Sequence, residues 1–241
     1  MTLIVCAKGI DGMVFASDSR GTFGDPRGIT ARNDTMRKIF KLNNQCILLM
    51  SGSAELGETI LEEIQRQIST QKLKNIDKVV ECAVNKFRAK YNEWFPQFQP
   101  NQRPMLGIII GGYEVDKKKK QSCKPKIFSM MSPLNFAPGL HNYGFALHGV
   151  PQYALYLLNT LYSDRMKINQ LKQLLAYVIT ETASQDGKVG GPIQMAVLKK
   201  DDCTILSRKE IERIIKRNEA NKVRLRKLFF GEKKHGKKGK N

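Results

Sequence analysis

Residues 2–20, TLIVCAKGIDGMVFASDSR, decide the architecture. Segments 2–9 and 12–19 run apolar or alternate at strand length, joined at Ile10-Asp11, which predicts two short strands around a turn. Thr2 follows Met1 directly, so methionine removal before this small residue would make it the N-terminus, with no signal peptide or long pro-segment in between. A threonine there carries a hydroxyl nucleophile and a free α-amine on one residue. That amine has an unperturbed pKa of about 8, the lowest of any amine in a chain, and can serve as general base for its own hydroxyl.

Outward from this stretch, the Gly-rich segment GTFGDPRGITARND (21–34) reads as a loop. MRKIFKL (36–42) and CILLMSG (46–52) are strand-like, split by the turn residues Asn43-Asn44-Gln45. From Ser53, placed as an N-cap, the apolar period becomes helical through Leu56, Ile60, Leu61, Ile64 and Ile68, and a second helix is expected over 75–92. Strands follow at 104–115, 125–132 and 140–149, the first two flanking an exposed lysine-rich hairpin tip. Helices at 150–162 and 167–186 precede a closing hairpin around Asp201-Asp202. A basic helix over 207–229 then leads into a disordered tail over 230–241. Strands, two helices, strands, two helices and strands again predict an α+β fold: two facing sheets with helices outside, a four-layer αββα sandwich.

At 241 residues without an internal linker, one main domain is expected. The sequence has no apolar run of membrane-spanning length. Five scattered cysteines without a CxxC pair point to a reducing cytosol, hence a cytoplasmic protein, and three histidines without metal-site spacing argue against a metal. The net charge of +19 is local: residues 208–241 carry +10 and residues 115–126 carry +5, which leaves only +4 elsewhere. The basicity belongs to one loop and one tail, not to a groove across the fold.

Four local patterns, in order, resemble the proteasome β-subunit branch of the N-terminal-nucleophile hydrolases. They are Thr2 on a strand that ends in Asp18-Ser19-Arg20; the strand start Arg37-Lys38-Ile39-Phe40; Ser51-Gly52 closing a strand; and Asp186 ahead of Gly190-Gly191. The resemblance covers about residues 2–206 and leaves 207–241 as a basic extension. It implies Thr2 as nucleophile, Lys38 as catalytic lysine, Asp18 as its partner, Gly52 N–H as oxyanion donor and Asp186 as a further catalytic residue. It also implies a first specificity pocket near Gly21, Met50 and Ala54, suited to an apolar or medium-sized side chain. The implied activity is peptide-bond hydrolysis without cofactor or metal, in a homo-oligomeric ring, with an ATPase or regulator as a candidate partner. The short start fits bacterial-type relatives such as HslV and Anbu.

Two positions depart from the family pattern. His148 stands before Gly149 where the family has a serine, and Val189 stands where it has a second serine after the late Asp. Those hydroxyls surround the N-terminal amine in the family; His148 is either a substitute proton carrier or a structural histidine, and Ser184 or a water would fill the second role. Asp18-Ser19-Arg20 taken alone reads as a strand end with a surface ion pair; beside the resemblance, Arg20 is also a possible site residue. A noncatalytic assembly or binding subunit that keeps the fold is the rival these departures favour. A third reading makes the tail a polyanion binder: it expects steeply salt-dependent nucleic-acid binding, measured by fluorescence anisotropy, that disappears on deletion of residues 208–241.

Overall fold

The first two strands form as expected. In a computed structural model that describes residues 2–25, 28–115, 124–200 and 202–231, β1 (Leu3–Lys8) pairs antiparallel with β2 (Met13–Ser17), Ile4 opposite Ser17. Alternation along β1 decides which residues meet which layer. Leu3, Val5 and Ala7 pack towards helices, whereas Ile4 and Cys6 pack towards a second sheet.

Part of the segment 21–34 departs from the loop expectation. Residues 21–25 and 28–33 of it form a two-stranded ribbon, β3 (Gly21–Asp25) and β4 (Gly28–Asn33), with Gly21 opposite Asn33 and a register shift between Phe23 and Gly24. The ribbon satisfies its backbone groups by pairing with itself rather than by joining a sheet, so it needs none of the apolar alternation by which sheet strands are recognised. β5 (Ile39–Lys41) and β6 (Cys46–Gly52) come next, then α1 (Ala54–Thr70) and α2 (Ile76–Trp94). Ser53 occupies the N-cap position of α1, but its hydroxyl makes no cap bond. The chain leaves β6 with Ser53 N–H donating to Met105 O at 2.8 Å, and Ser53 has φ −70° and ψ 80° rather than the extended backbone usual for side-chain capping.

β7 (Leu106–Tyr113) is buried throughout, as its apolar run required, and pairs with β8 (Pro125–Met131). The lysine-rich tip between them, 116–123, lies outside the described residues. The short β9 (Gly139–Leu140) and β10 (Phe145–Gly149) lead into α3 (Pro151–Leu161) and α4 (Ile168–Gln185). β11 (Gln194–Leu198), β12 (Cys203–Ile205) and α5 (Arg208–Phe230) follow. Asp201, at the tip of the closing hairpin, and residues 232–241 of the tail also lie outside the described residues.

One sheet has the order β10-β1-β2-β11-β12, so strands from both ends of the chain meet at β2 and β11. The other runs β5-β6-β7-β8-β9. Ile4, Phe15, Leu49, Ile109 and Ala196 fill the space between the two sheets. α1 and α2 cover the outer face of the second sheet through Ile60, Ile64, Val79 and Phe87, and α3 and α4 cover the first through Ala154, Leu158, Leu171 and Leu175. The four layers of the αββα sandwich are thus α1/α2, sheet, sheet, α3/α4. Each fully buried Leu, Ile or Phe side chain contributes roughly 1.5–3 kcal/mol, so these three apolar layers supply most of the driving force.

α5 begins with Ser207 accepting from Glu210 N–H at 3.3 Å and ends at Gly231 in the left-handed region. As far as Lys222 it docks on α4, through buried Ile211, the Lys172–Glu210 pair at 3.2 Å and Lys222–Glu181 at 2.7 Å. Beyond that, Leu225, Leu228, Phe229 and Phe230 are exposed.

β10 ends at Gly149 with φ +107°, where an added Cβ would lie 1.6 Å from Thr2 O. No flexible side chain is there to give way. Gly149→Ala is expected to destabilise the fold by at least about 2 kcal/mol in urea unfolding and to displace Thr2.

Candidate active site

Asp18 leaves the end of β2 fully buried, so its charge must be met by donors. Oδ1 accepts from Leu3 N–H at 3.0 Å, from Lys38 Nζ at 2.7 Å and from the Thr2 hydroxyl. Oδ2 accepts from Arg20 N–H at 3.2 Å and from Gly190 N–H at 3.0 Å. Lys38, just ahead of β5, spends its ammonium on three acceptors: Asp18, Arg20 O at 2.7 Å and Thr2 Oγ. Thr2 is itself buried, 4% exposed, with its carbonyl accepting from Val150 N–H at 2.9 Å. The hydroxyl is therefore pinned between a carboxylate and an ammonium contributed by opposite sheets.

Burial lowers the Lys38 pKa below its ordinary value, and the charge and hydrogen bond of Asp18 oppose that shift. An ammonium with its donors already committed, touching a hydroxyl in a water-poor site, lowers the cost of an alkoxide there. Thr2, Lys38, Gly21, Met50 and Gly52 share the wall of a cavity of about 480 Å³, roofed in part by Thr22 and Phe23 of the β3–β4 ribbon. Gly52 has φ +97°, and an added Cβ would lie 2.1 Å from Met105 O, so the bare backbone is what reaches this wall. The Ala54 side chain lies outside what the structure describes.

The other sequence candidates sit further out. Asp186 ends α4, and its Oδ1 accepts from Lys188 N–H at 2.8 Å, so its bond goes to its own turn. That turn carries Gly190, through which it supports Asp18. The Ser184 hydroxyl donates to Glu181 O at 2.7 Å on an exposed part of α4. Val189 is fully buried among the apolar residues under α3 and α4. Arg20 is more than a surface ion-pair residue. Its guanidinium grips both oxygens of Asp34, at 2.7 and 2.8 Å, and donates to Gly187 O at 3.1 Å, while its carbonyl holds Lys38.

Three supports went unread in the sequence. Asp34 anchors Arg20 from the segment taken as loop, and its carbonyl accepts from Ser19 Oγ at 2.7 Å. Gln194, a polar residue opening an apolar strand, accepts from Lys38 N–H at 3.1 Å and donates to Met36 O at 2.6 Å. That interruption of the apolar run was the available signal. Gly190 supplies only a backbone N–H, which no side-chain pattern reveals.

His148 sits between the sheets, its imidazole beside Gly107, and burial lowers its pKa to about 4. The folded protein keeps this ring neutral, whereas the unfolded chain takes up a proton below about 6.5. Its contribution is complete above pH 6.5 and is lost as pH falls towards 4, by about 3 kcal/mol in all. Urea unfolding at a series of pH values should show His148→Gln flattening that slope. His141, also lowered by burial, adds to the His148 shift through its charge, so the difference reports His148 together with that coupling. Asp18→Asn strands the Lys38 ammonium without its counter-charge and should cost about 3–5 kcal/mol in the same measurement.

With this geometry in view, the comparisons with known proteins agree with one another. The family model described as "Proteasome subunit" matches residues 2–198. The chain is 25% identical over 214 residues to a proteasome subunit beta of Methanococcus aeolicus, covering 88% of each chain. It is 21% identical over 206 residues to a proteasome subunit beta of Methanobrevibacter smithii, covering 85% of this chain and 90% of that one. Among solved structures, an Anbu (Gly-1) mutant from Hyphomicrobium sp. strain MC1 superposes with a TM-score of 0.70 at 19% identity, over 96% of this chain and 99% of that one. The chain belongs to the proteasome subunit family, in its β-type, N-terminal-nucleophile branch.

Proposed function

We propose that this protein is a threonine-type peptidase in which Thr2, freed of Met1, attacks peptide carbonyls. The observation that carries the reading is the Thr2 hydroxyl held at once by Lys38 Nζ and Asp18 on the wall of a cavity large enough for substrate side chains. In this scheme the Thr2 α-amine takes the hydroxyl proton as Oγ bonds to the carbonyl carbon. Lys38 holds the developing negative charge on Oγ, with Asp18 fixing the ammonium in place. The Gly52 N–H serves the tetrahedral oxyanion; loss of one such donor in other enzymes costs roughly 3–4 kcal/mol. The amine then passes its proton to the leaving amide nitrogen, and water releases the acyl group from Thr2.

Gly21 and Met50 line the wall where the side chain at the cleaved position would sit, and Met50 favours an apolar or medium-sized one. The relatives named as proteasome β subunits support a homo-oligomeric ring that works on peptide or protein substrates, with a regulatory ATPase as a candidate partner. No described helix is long and apolar enough to cross a membrane. The competing noncatalytic reading draws on Val189, buried where a hydroxyl is expected, and on Ser184, turned back onto its own helix.

Intact mass spectrometry after incubation with a peptide epoxyketone or β-lactone separates the two readings. Protein lacking Met1 should gain one adduct that Thr2→Ala does not form. Absence of an adduct on correctly processed protein refutes the enzyme reading, and retained Met1 removes its base. Lys38→Ala should slow adduct formation by at least about 100-fold while Thr2 remains in place.

A further inference from the structure

His148 carries a buried polar atom that the scheme above leaves without a task. Its Nε2 is shut off from solvent and has no hydrogen-bond partner among the described residues. A buried ring nitrogen without a partner is a cost to the fold, so its retention calls for an explanation. The surroundings are built to admit the ring. Gly107 of β7 has no side chain, and a Cβ there would lie 3.3 Å from the imidazole Cγ and 2.8 Å from Ser51 Oγ. Ser51 immediately precedes Gly52 on the cavity wall.

Strand register places the ring relative to the nucleophile. Ile4 stands opposite His148, and Leu3 stands opposite Gly149. Thr2, two residues before Ile4, is thus the diagonal neighbour of His148 across the β1–β10 pair. Both face the space between the sheets, from which Lys38 reaches Thr2. Diagonal neighbours in antiparallel strands lie about 7–8 Å apart, a gap that an imidazole spans.

We propose that His148 is a positioning residue for the Thr2 amine: its Nε2 accepts a hydrogen bond from the α-amino group that removal of Met1 creates. This rests on the threonine peptidase reading and deepens it. The amine needs its lone pair turned towards its own Oγ to take the hydroxyl proton. One of its N–H bonds held by His148 fixes the rotation about the Thr2 N–Cα bond that achieves this. In the attack, the Oγ–H bond breaks as the Oγ–C bond forms, and the proton moves to the amine lone pair. It then leaves on the departing amide nitrogen, which returns the amine to its neutral form. His148 remains neutral throughout and exchanges no proton, consistent with a ring that burial holds uncharged.

The test compares three forms of the full chain lacking Met1: wild type, His148→Leu and His148→Gln. The first substitution keeps the volume without the acceptor, and the second restores an acceptor at similar reach. Labelling rates with a β-lactone are read as a function of probe concentration. The expected result is a maximal rate about 100-fold slower for His148→Leu, with half-saturation unchanged, and recovery to within about tenfold of wild type for His148→Gln. A wild-type protein that labels while a folded His148→Leu matches its rate overturns this proposal alone. Equal slowness of both variants also overturns it, because packing would then be the cause. Wild type that never labels overturns the peptidase reading and this inference together. A second measurement needs no substitution: the ¹⁵N resonance of His148 Nε2 should differ between Met1-retained and Met1-free protein, and an unchanged resonance refutes the bond.

Discussion

A single buried carboxylate organises this molecule. Asp18 sits where β2 ends, out of reach of water, and its two oxygens accept from Thr2, Leu3, Arg20, Lys38 and Gly190. Those donors come from β1, from the segment entering β5 and from the turn before β11, so one charge ties together the two sheets and both ends of the main domain. A buried ion pair alone adds little to stability, because desolvation offsets attraction. Here the geometry is its main product: each donor is satisfied in only one arrangement, and that arrangement sets Thr2 Oγ against Lys38 Nζ.

Around this charge lies a second ring of restraint. Asp34 locks the Arg20 guanidinium, the Arg20 carbonyl locks Lys38, and Gln194 holds the Lys38 backbone from β11. The Lys38 ammonium and its backbone N–H are thereby held by separate elements. A site of this kind depends on packing far from the reacting atoms, since β11 must lie in register with β2 for Gln194 and Gly190 to arrive.

How far the residues announced all this depended on the kind of signal. The sandwich was legible because strand and helix periods alternate cleanly, and β7 has an apolar run that only a doubly covered strand explains. Thr2, Asp18, Lys38 and Gly52 were legible because each stands in a short pattern that the family shares, and a lysine in an apolar strand start needs a partner. The β3–β4 ribbon was not, since glycines and a proline mask strands that pair only with each other. Asp34 was missed for the same reason. Gly190 was invisible as a donor because its contribution is a main-chain N–H, and the turn that aims it is set by Asp186, whose expected place was at the reacting centre. Ser184 could be reached by sequence distance but not by direction: its hydroxyl bonds to the preceding turn of its own helix, as serines there commonly do.

The way Thr2 is held also bears on the Met1 removal that the peptidase reading requires. Its carbonyl is tied to Val150 and the next amide to Asp18, and the residue lies at the head of a strand flanked on both sides in its sheet. An aminopeptidase must draw the first peptide bond, extended, into its own cleft, and a threonine clasped in this way does not come out to meet it. If Met1 is removed, as the peptidase reading requires, its removal is easier before β10 closes on β1. On the peptidase reading, a chain that folds with Met1 in place would hold Thr2 in position with its amine still capped.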